Sequence, residues 1–214
     1  MDKLLVAVLA LCWCAIAQAD QKVIDDYRAA RNMFWEKLYT DGHTLYCGEK
    51  FVNSKRTISD KRINVEHVFA ASWMTDAIGC GTRKQCRKSS IRFNLAEADM
   101  HNMYPVLAKV NSSRNNLSFG IIPGEKHKFG CDFERTSKLA EPREVARGNI
   151  ARSILYMADE YKFAIPAEMR QLMLEWHKAD PPSLDEIRRN QVIYKLQGTV
   201  NEYIGGMTLP PSKK

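Results

Sequence analysis

Beyond the first twenty residues the chain has no stretch long and apolar enough to cross a bilayer, and it carries no internal repeat, heptad run or low-complexity tract. These absences exclude a polytopic membrane protein, a repeat solenoid and a coiled coil. Cysteine is scarce, six in 214 residues, and no pair has C-x-x-C spacing, which argues against a zinc site. H-E-x-x-H is missing as well. Glu66 precedes His67, and Ala71 stands four places after the histidine, so a zinc-protease helix is ruled out. No linker divides the chain, and its length suits one domain.

What is present is an ordinary globular composition, 45% hydrophobic and 27% charged, with a formal charge of +7. A basic chain suits a polyanionic partner, either nucleic acid or an anionic membrane surface. At the N-terminus Lys3 precedes the apolar run Leu4 to Ile16, and Ala17-Gln18-Ala19 has the small-x-small pattern of a signal-peptidase site. Residues 1–19 therefore read as a signal peptide and 20–214 as the exported domain. Leu11 and Trp13, before Cys12 and Cys14, are not the small residues a lipid anchor needs. The mature chain keeps Cys47, Cys80, Cys86 and Cys131, enough for two disulfides in an oxidising compartment. Three pairings are open. The local choice is Cys80–Cys86, pinning a basic loop from Gly81 to Lys88. Cys47–Cys131 would then close a long loop, worth up to about 4–5 kcal/mol in the chain-entropy account.

The spacing of Val23, Tyr27, Phe34 and Leu38 predicts an amphipathic helix over Asp20–Tyr39. Leu45-Tyr46-Cys47 reads as a short strand, Lys55–Arg62 as an exposed loop, and Ile63–Val68 as a strand running into Glu66-His67. A short helix is expected over Ala70–Ala77, while Arg92–Met100 is ambiguous. Met103-Tyr104-Pro105 should be extended, with a helix over Val106–Asn115 and Pro105 near its first turn. Leu117–Phe133 reads as irregular or β. Helices are expected over Pro142–Lys162, Ala167–Ala179 and Leu184–Gln197, the last opened by a Ser183/Glu186 capping box, before a frayed tail from Gly205.

Three segments carry chemistry. Glu66 offers the hard oxygen that Mg²⁺ prefers, and His67 can take a proton near neutral pH. On a regular strand these neighbours point to opposite faces, so one site can use both only where the strand ends or twists. Alone, the pair reads as a structural histidine beside a solvated glutamate. Asn111, Arg114 and Asn115 share a helix face at i, i+3 and i+4, with an amide for a metal and a guanidinium for a phosphate. Arg83, in the cysteine-bounded loop, is a second phosphate cation.

The order of these segments gives them meaning. A strand ending in Glu-His, a second strand around His101-Asn102-Met103-Tyr104-Pro105, then a helix bearing Asn111 resembles the ββα-metal nuclease core. More closely, the chain resembles the bacterial endonuclease I family of periplasmic and secreted non-specific nucleases. The matching strings are Tyr46-Cys47-Gly48, Glu66-His67-Val68, Arg83-Lys84-Gln85-Cys86, Glu97 to Pro105, Val110 to Asn116 and Glu141 to Arg152.

The resemblance implies an α+β single domain, a ββα-metal core surrounded by helices. It implies one Mg²⁺ on Glu66 and Asn111, with Mn²⁺ or Ca²⁺ as substitutes, and His67 as general base. Arg83 would steady the charged transition state, with Arg114 beside it, and Glu97 would lie at the site's edge and orient His67. Asp99, His101 and Asn102 would support the site from behind or be structural. The substrate would be DNA, with RNA also accepted, cleaved by a periplasmic or secreted monomer to 5′-phosphate and 3′-hydroxyl ends. The rival reading is a non-catalytic basic nucleic-acid-binding protein on the same fold. Family members usually place Asp where this chain has Ser113, and many carry further cysteines. This chain is therefore expected to hold two disulfides rather than four, with a looser C-terminal region. Because metal, base and arginines all read phosphate, little sequence preference and strong salt dependence follow. Lys55, Arg56, Lys61, Arg62, Arg87 and Lys88 are the candidates to track the backbone.

Overall fold

Asp26 opens the first helix by accepting a hydrogen bond from the Ala29 N–H at 2.8 Å. The computed structural model describes residues 23–52, 56–124 and 129–205; the expected leader and the tail beyond Gly205 lie outside them. Helix α1 (Tyr27–Met33) passes into a π-helical turn over Phe34–Leu38, closed by the Tyr39 N–H on the Phe34 carbonyl at 2.8 Å. The wider turn lets the consecutive residues Phe34 and Trp35 both bury. The helix expected from Asp20 thus starts later and ends wider than its apolar spacing suggested.

Two short strands follow, β1 (Gly42–His43) and β2 (Lys50–Phe51), paired antiparallel. Between them Leu45-Tyr46-Cys47 forms a turn rather than the expected strand. Each of the three is satisfied at long range. The Leu45 N–H donates to the Pro105 carbonyl, the Tyr46 ring meets Phe119 and Phe133, and Cys47 bonds to Cys131.

The sheet that matters most has the order β3-β4-β5, from β3 (Thr57–Ile58), β4 (Lys61–His67) and β5 (Met103–Leu107). All its pairings are antiparallel, with Glu66 opposite Tyr104 and His67 opposite Met103. The described part of the expected loop over Lys55–Arg62 is therefore a hairpin, turning at Ser59 with φ 54°. Met103-Tyr104-Pro105 is extended as expected, but β5 runs on through Leu107, so the helix expected from Val106 begins only at Ala108. Helix α5 (Ala108–Arg114) leaves β5 directly and lies against β4.

Between β4 and β5 run α2 (Ala71–Ile78), α3 (Arg83–Ser89), α4 (Ile91–Ala98) and a 3-10 turn over Met100–Asn102. The basic stretch expected as a loop is helical. Thr82 and Gln85 cap it reciprocally, and the Cys80–Cys86 disulfide clamps its start. The local pairing Cys80–Cys86 and the long-range pairing Cys47–Cys131 are both formed, as expected.

A third sheet orders β6 (Ser118–Phe119), β8 (Leu139–Pro142) and β7 (Phe133–Arg135), with β8 central. After a 3-10 turn at Glu144–Ala146 come α6 (Arg147–Glu160), α7 (Ala167–Ala179) and α8 (Leu184–Gln197), the last with the expected Ser183/Glu186 capping box. Helix α6 is buried from Ile150 through Ala158, as befits a helix surrounded on all sides. Gly148 allows it to approach the end of α7. A Cβ there would lie 2.2 Å from the Asp180 carbonyl oxygen.

The segment after α8 is tied down without cysteine, so the expected looser C-terminal region is not found up to Asn201. The Asn201 N–H donates to Asn190, its side-chain amide to the Arg152 carbonyl, and Gln197 donates to Asp99. His101 is buried in this network. Its Nε2 faces the Thr199 carbonyl at 3.1 Å, while Nδ1 is buried without a partner among the described residues. Burial pushes its pKa down to about 4 from the usual 6.5. The unfolded chain then binds more protons between these values. Stability is held above pH 6.5 and falls, by up to about 3 kcal/mol, as pH drops towards 4. Urea titrations of wild type and His101→Gln across that range test this, and the variant should lose less. Equal slopes contradict it.

Candidate active site

A cleft of about 680 Å³ opens where β4, α1 and α5 meet, and its walls include Glu66, His67, Arg83 and Asn111. Four arginines and one carboxylate line it, so its field favours an anion. Strand β4 ends at His67, and this is how neighbouring side chains come to serve one space.

Glu66 is 3% exposed, and its Oε1 accepts from the Tyr46 hydroxyl at 2.8 Å and from Arg114 Nη1 at 2.9 Å. Burial raises its pKa above the usual carboxylate value, against the opposing pull of Arg114 and Tyr46. Asn111 Nδ2 donates to Asn64 Oδ1 at 2.9 Å and to the Val65 carbonyl at 3.2 Å. With both amide hydrogens spent on β4, the side chain's orientation is fixed and Oδ1 is its remaining functional end.

His67 Nε2 lies 2.8 Å from the Glu97 backbone carbonyl. A carbonyl only accepts, so Nε2 carries the proton and Nδ1 keeps its lone pair. Burial first, then the Arg83 charge, pushes the imidazole pKa down to about 4, and it is neutral at physiological pH.

Glu97 joins the parts of the site in an unexpected way. Its backbone carbonyl, not its carboxylate, orients His67. The carboxylate is buried against two arginines: Arg83 Nε donates to Oε1, while Arg87 grips both oxygens at 2.7 and 2.8 Å. Burial alone would raise its pKa, but Arg87 and Arg83 outweigh that and hold it low. Both guanidiniums lie over the Tyr27 ring, at 5.5 and 5.4 Å, and that ring also sits 5.2 Å from His67.

The largest revision concerns Arg114. Its side chain is fully buried and stands behind Glu66, not in the cleft with a phosphate. Besides Glu66 it donates to the carbonyls of His67 and Val68, at 3.2 and 2.8 Å, and it packs between Trp73 and Phe119. Asn115 follows the helix as its cap and lines the cleft. Asp99, His101 and Asn102 are all buried away from the cleft. Asp99 accepts from Tyr156 and Tyr161, and Asn102 brackets the Phe69 backbone with two hydrogen bonds.

Tyr27, Tyr46 and Asn64 are contacts of the site that sequence reasoning missed, and Arg87, expected to track the backbone, is turned to Glu97 instead. Of these, Asn64 had a signal, since it lies two residues before Glu66 and so on the same strand face. Glu66 and Asn111 together supply a carboxylate and a neutral oxygen beside one cleft. That donor set fits Mg²⁺, which takes one or two protein oxygens and leaves room for water and phosphate.

A family model described as Endonuclease I matches residues 8–207. The chain is 32% identical to an extracellular deoxyribonuclease of Aeromonas hydrophila, over 94% of this chain and 96% of that protein. It is likewise 32% identical to a periplasmic deoxyribonuclease of the same organism, over 90% and 76% respectively. An extracellular ribonuclease of Bacillus amyloliquefaciens is 29% identical over 71% of this chain and 53% of its own length. The chain belongs to the Endonuclease I family and is an exported endonuclease, periplasmic or extracellular.

Proposed function

We propose that the protein hydrolyses phosphodiester bonds of DNA, and of RNA, without sequence preference and with a divalent metal. The observation that carries this reading is the His67 imidazole, locked in one tautomer by the Glu97 carbonyl beside the anion-favouring cleft. His67 Nδ1 takes the proton of a water that attacks phosphorus as the bond to the 3′ oxygen breaks. The departing 3′ oxygen takes a proton from solvent water, which leaves 5′-phosphate and 3′-hydroxyl ends. Glu66 and Asn111 would hold one Mg²⁺, replaceable by Mn²⁺ or Ca²⁺, which would supply positive charge against the negative charge of the reacting phosphate. Arg83, tied to Glu97 through Nε, keeps its terminal nitrogens for a phosphate oxygen. Arg114 fixes the Glu66 carboxylate in place.

Base identity enters none of these contacts, which is why little sequence preference follows. The relatives named deoxyribonucleases and ribonuclease support acceptance of both polymers. Supercoiled plasmid and structured RNA should both be cut by the oxidised protein with Mg²⁺, and EDTA should stop both reactions. Cleavage that persists in EDTA, or none with any divalent ion, contradicts the reading.

A further inference from the structure

The basic residues expected to follow a nucleic-acid backbone are sorted by the fold into committed and available groups. Lys61 is paired with Glu49 at 2.7 Å, and Arg87 is spent on Glu97. Arg56 and Arg62 line the same cleft as His67, joined by Arg31 from α1. No ion pair among the described residues takes any of these three.

Their placement separates them from the reacting centre. Side chains alternate along β4, so Arg62, Asn64 and Glu66 share a face. Arg62 lies four residues before Glu66, about 13 Å along the strand. Arg56 immediately precedes the neighbouring strand β3, and its carbonyl accepts from the Ile63 N–H at 2.8 Å. The Arg56 guanidinium lies 5.3 Å over the Trp35 ring, and Trp35 is almost wholly buried. A cation seated on a fixed ring has less freedom to lose on binding. Arg31 follows Tyr27 by one helical turn and closes the same wall.

We propose that Arg31, Arg56 and Arg62 form a second phosphate site, which binds the backbone phosphates of nucleotides flanking the one that is cut. This rests on the reading that nucleic acid is the substrate. The site gives the enzyme a grip on the strand independent of the catalytic phosphate, so affinity grows with strand length.

Binding of a labelled 20-nucleotide DNA in EDTA, between 50 and 300 mM NaCl, tests the site without cleavage. Relative to wild type, Arg56→Gln/Arg62→Gln should flatten the slope of log affinity against log salt by about two, and weaken binding about tenfold at 150 mM. Arg31→Gln alone should flatten the slope by about one. Lys178→Gln/Lys195→Gln removes the same charge from exposed positions on α7 and α8 and should leave the slope as it is. A wild-type slope in the arginine variants, or an equal drop in the lysine variant, overturns the site. Wild-type DNA cleavage in Mg²⁺ is measured alongside. Binding with the expected slopes but no cleavage would fail the functional reading and leave the phosphate site standing; cleavage with unmoved slopes would do the reverse.

Discussion

Replacing His67 with alanine is expected to lower kcat about 10²–10⁴-fold, the usual contribution of a positioned general base. Affinity for DNA should change little, because the arginines that meet phosphate stay in place. The effect is large because no other described residue of the cleft offers a free base. Glu66 is engaged by Tyr46 and Arg114, and Glu97 by two arginines. With its pKa down at about 4, His67 is already deprotonated at neutral pH, and its tautomer is set by the 2.8 Å contact to Glu97. Single-turnover cleavage with fluorescence-anisotropy binding separates the two effects. Equal losses in both would contradict a role confined to proton transfer.

Arg114→Ala should be the most destabilising substitution at the site, at about 3–5 kcal/mol, the cost of breaking a buried ion pair from one side. The guanidinium is fully buried, and it serves the Glu66 carboxylate and two backbone carbonyls while filling the space between Trp73 and Phe119. Its loss removes these hydrogen bonds, leaving Glu66 only the Tyr46 hydroxyl of the two side-chain donors, and takes away a charge that opposes the burial-driven rise of the Glu66 pKa. Glu66 then protonates more readily and becomes a poorer metal ligand. Lysine keeps the charge but not the planar fork, so Arg114→Lys should recover only part of the stability. Denaturant titration measures both variants. If Arg114→Ala keeps wild-type stability but loses affinity for DNA, Arg114 touches phosphate and the structural assignment is wrong.

The features that a local pattern could carry were legible in the sequence. Helix α7 lies where its apolar spacing put it, and the Ser183/Glu186 cap marks the start of α8. Strand β4 shows in the alternation leading to Glu66. Helix α3 was not legible, because Arg83-Lys84-Gln85-Cys86-Arg87-Lys88-Ser89 contains no apolar periodicity; its cap and disulfide hold it instead. Leu45 to Cys47 misled for the opposite reason, being apolar through remote contacts rather than strand pairing. Within the site, Glu66, His67, Arg83 and Asn111 could be named because they form short strings in a recognisable order. The burial of Arg114 could not be anticipated, since an arginine gives no sign in sequence of whether rings or water surround it. Nor did any spacing reveal that Glu97 acts on His67 through its backbone while its side chain binds Arg87.

The central claim is that Glu66 and Asn111 hold one divalent ion beside His67. Anomalous scattering from a crystal soaked in Mn²⁺ tests it directly. The account predicts a single strong peak about 2.1 Å from a Glu66 carboxylate oxygen and from Asn111 Oδ1. A peak elsewhere in the cleft, or none at these two residues while the soaked protein still cuts DNA, would contradict it.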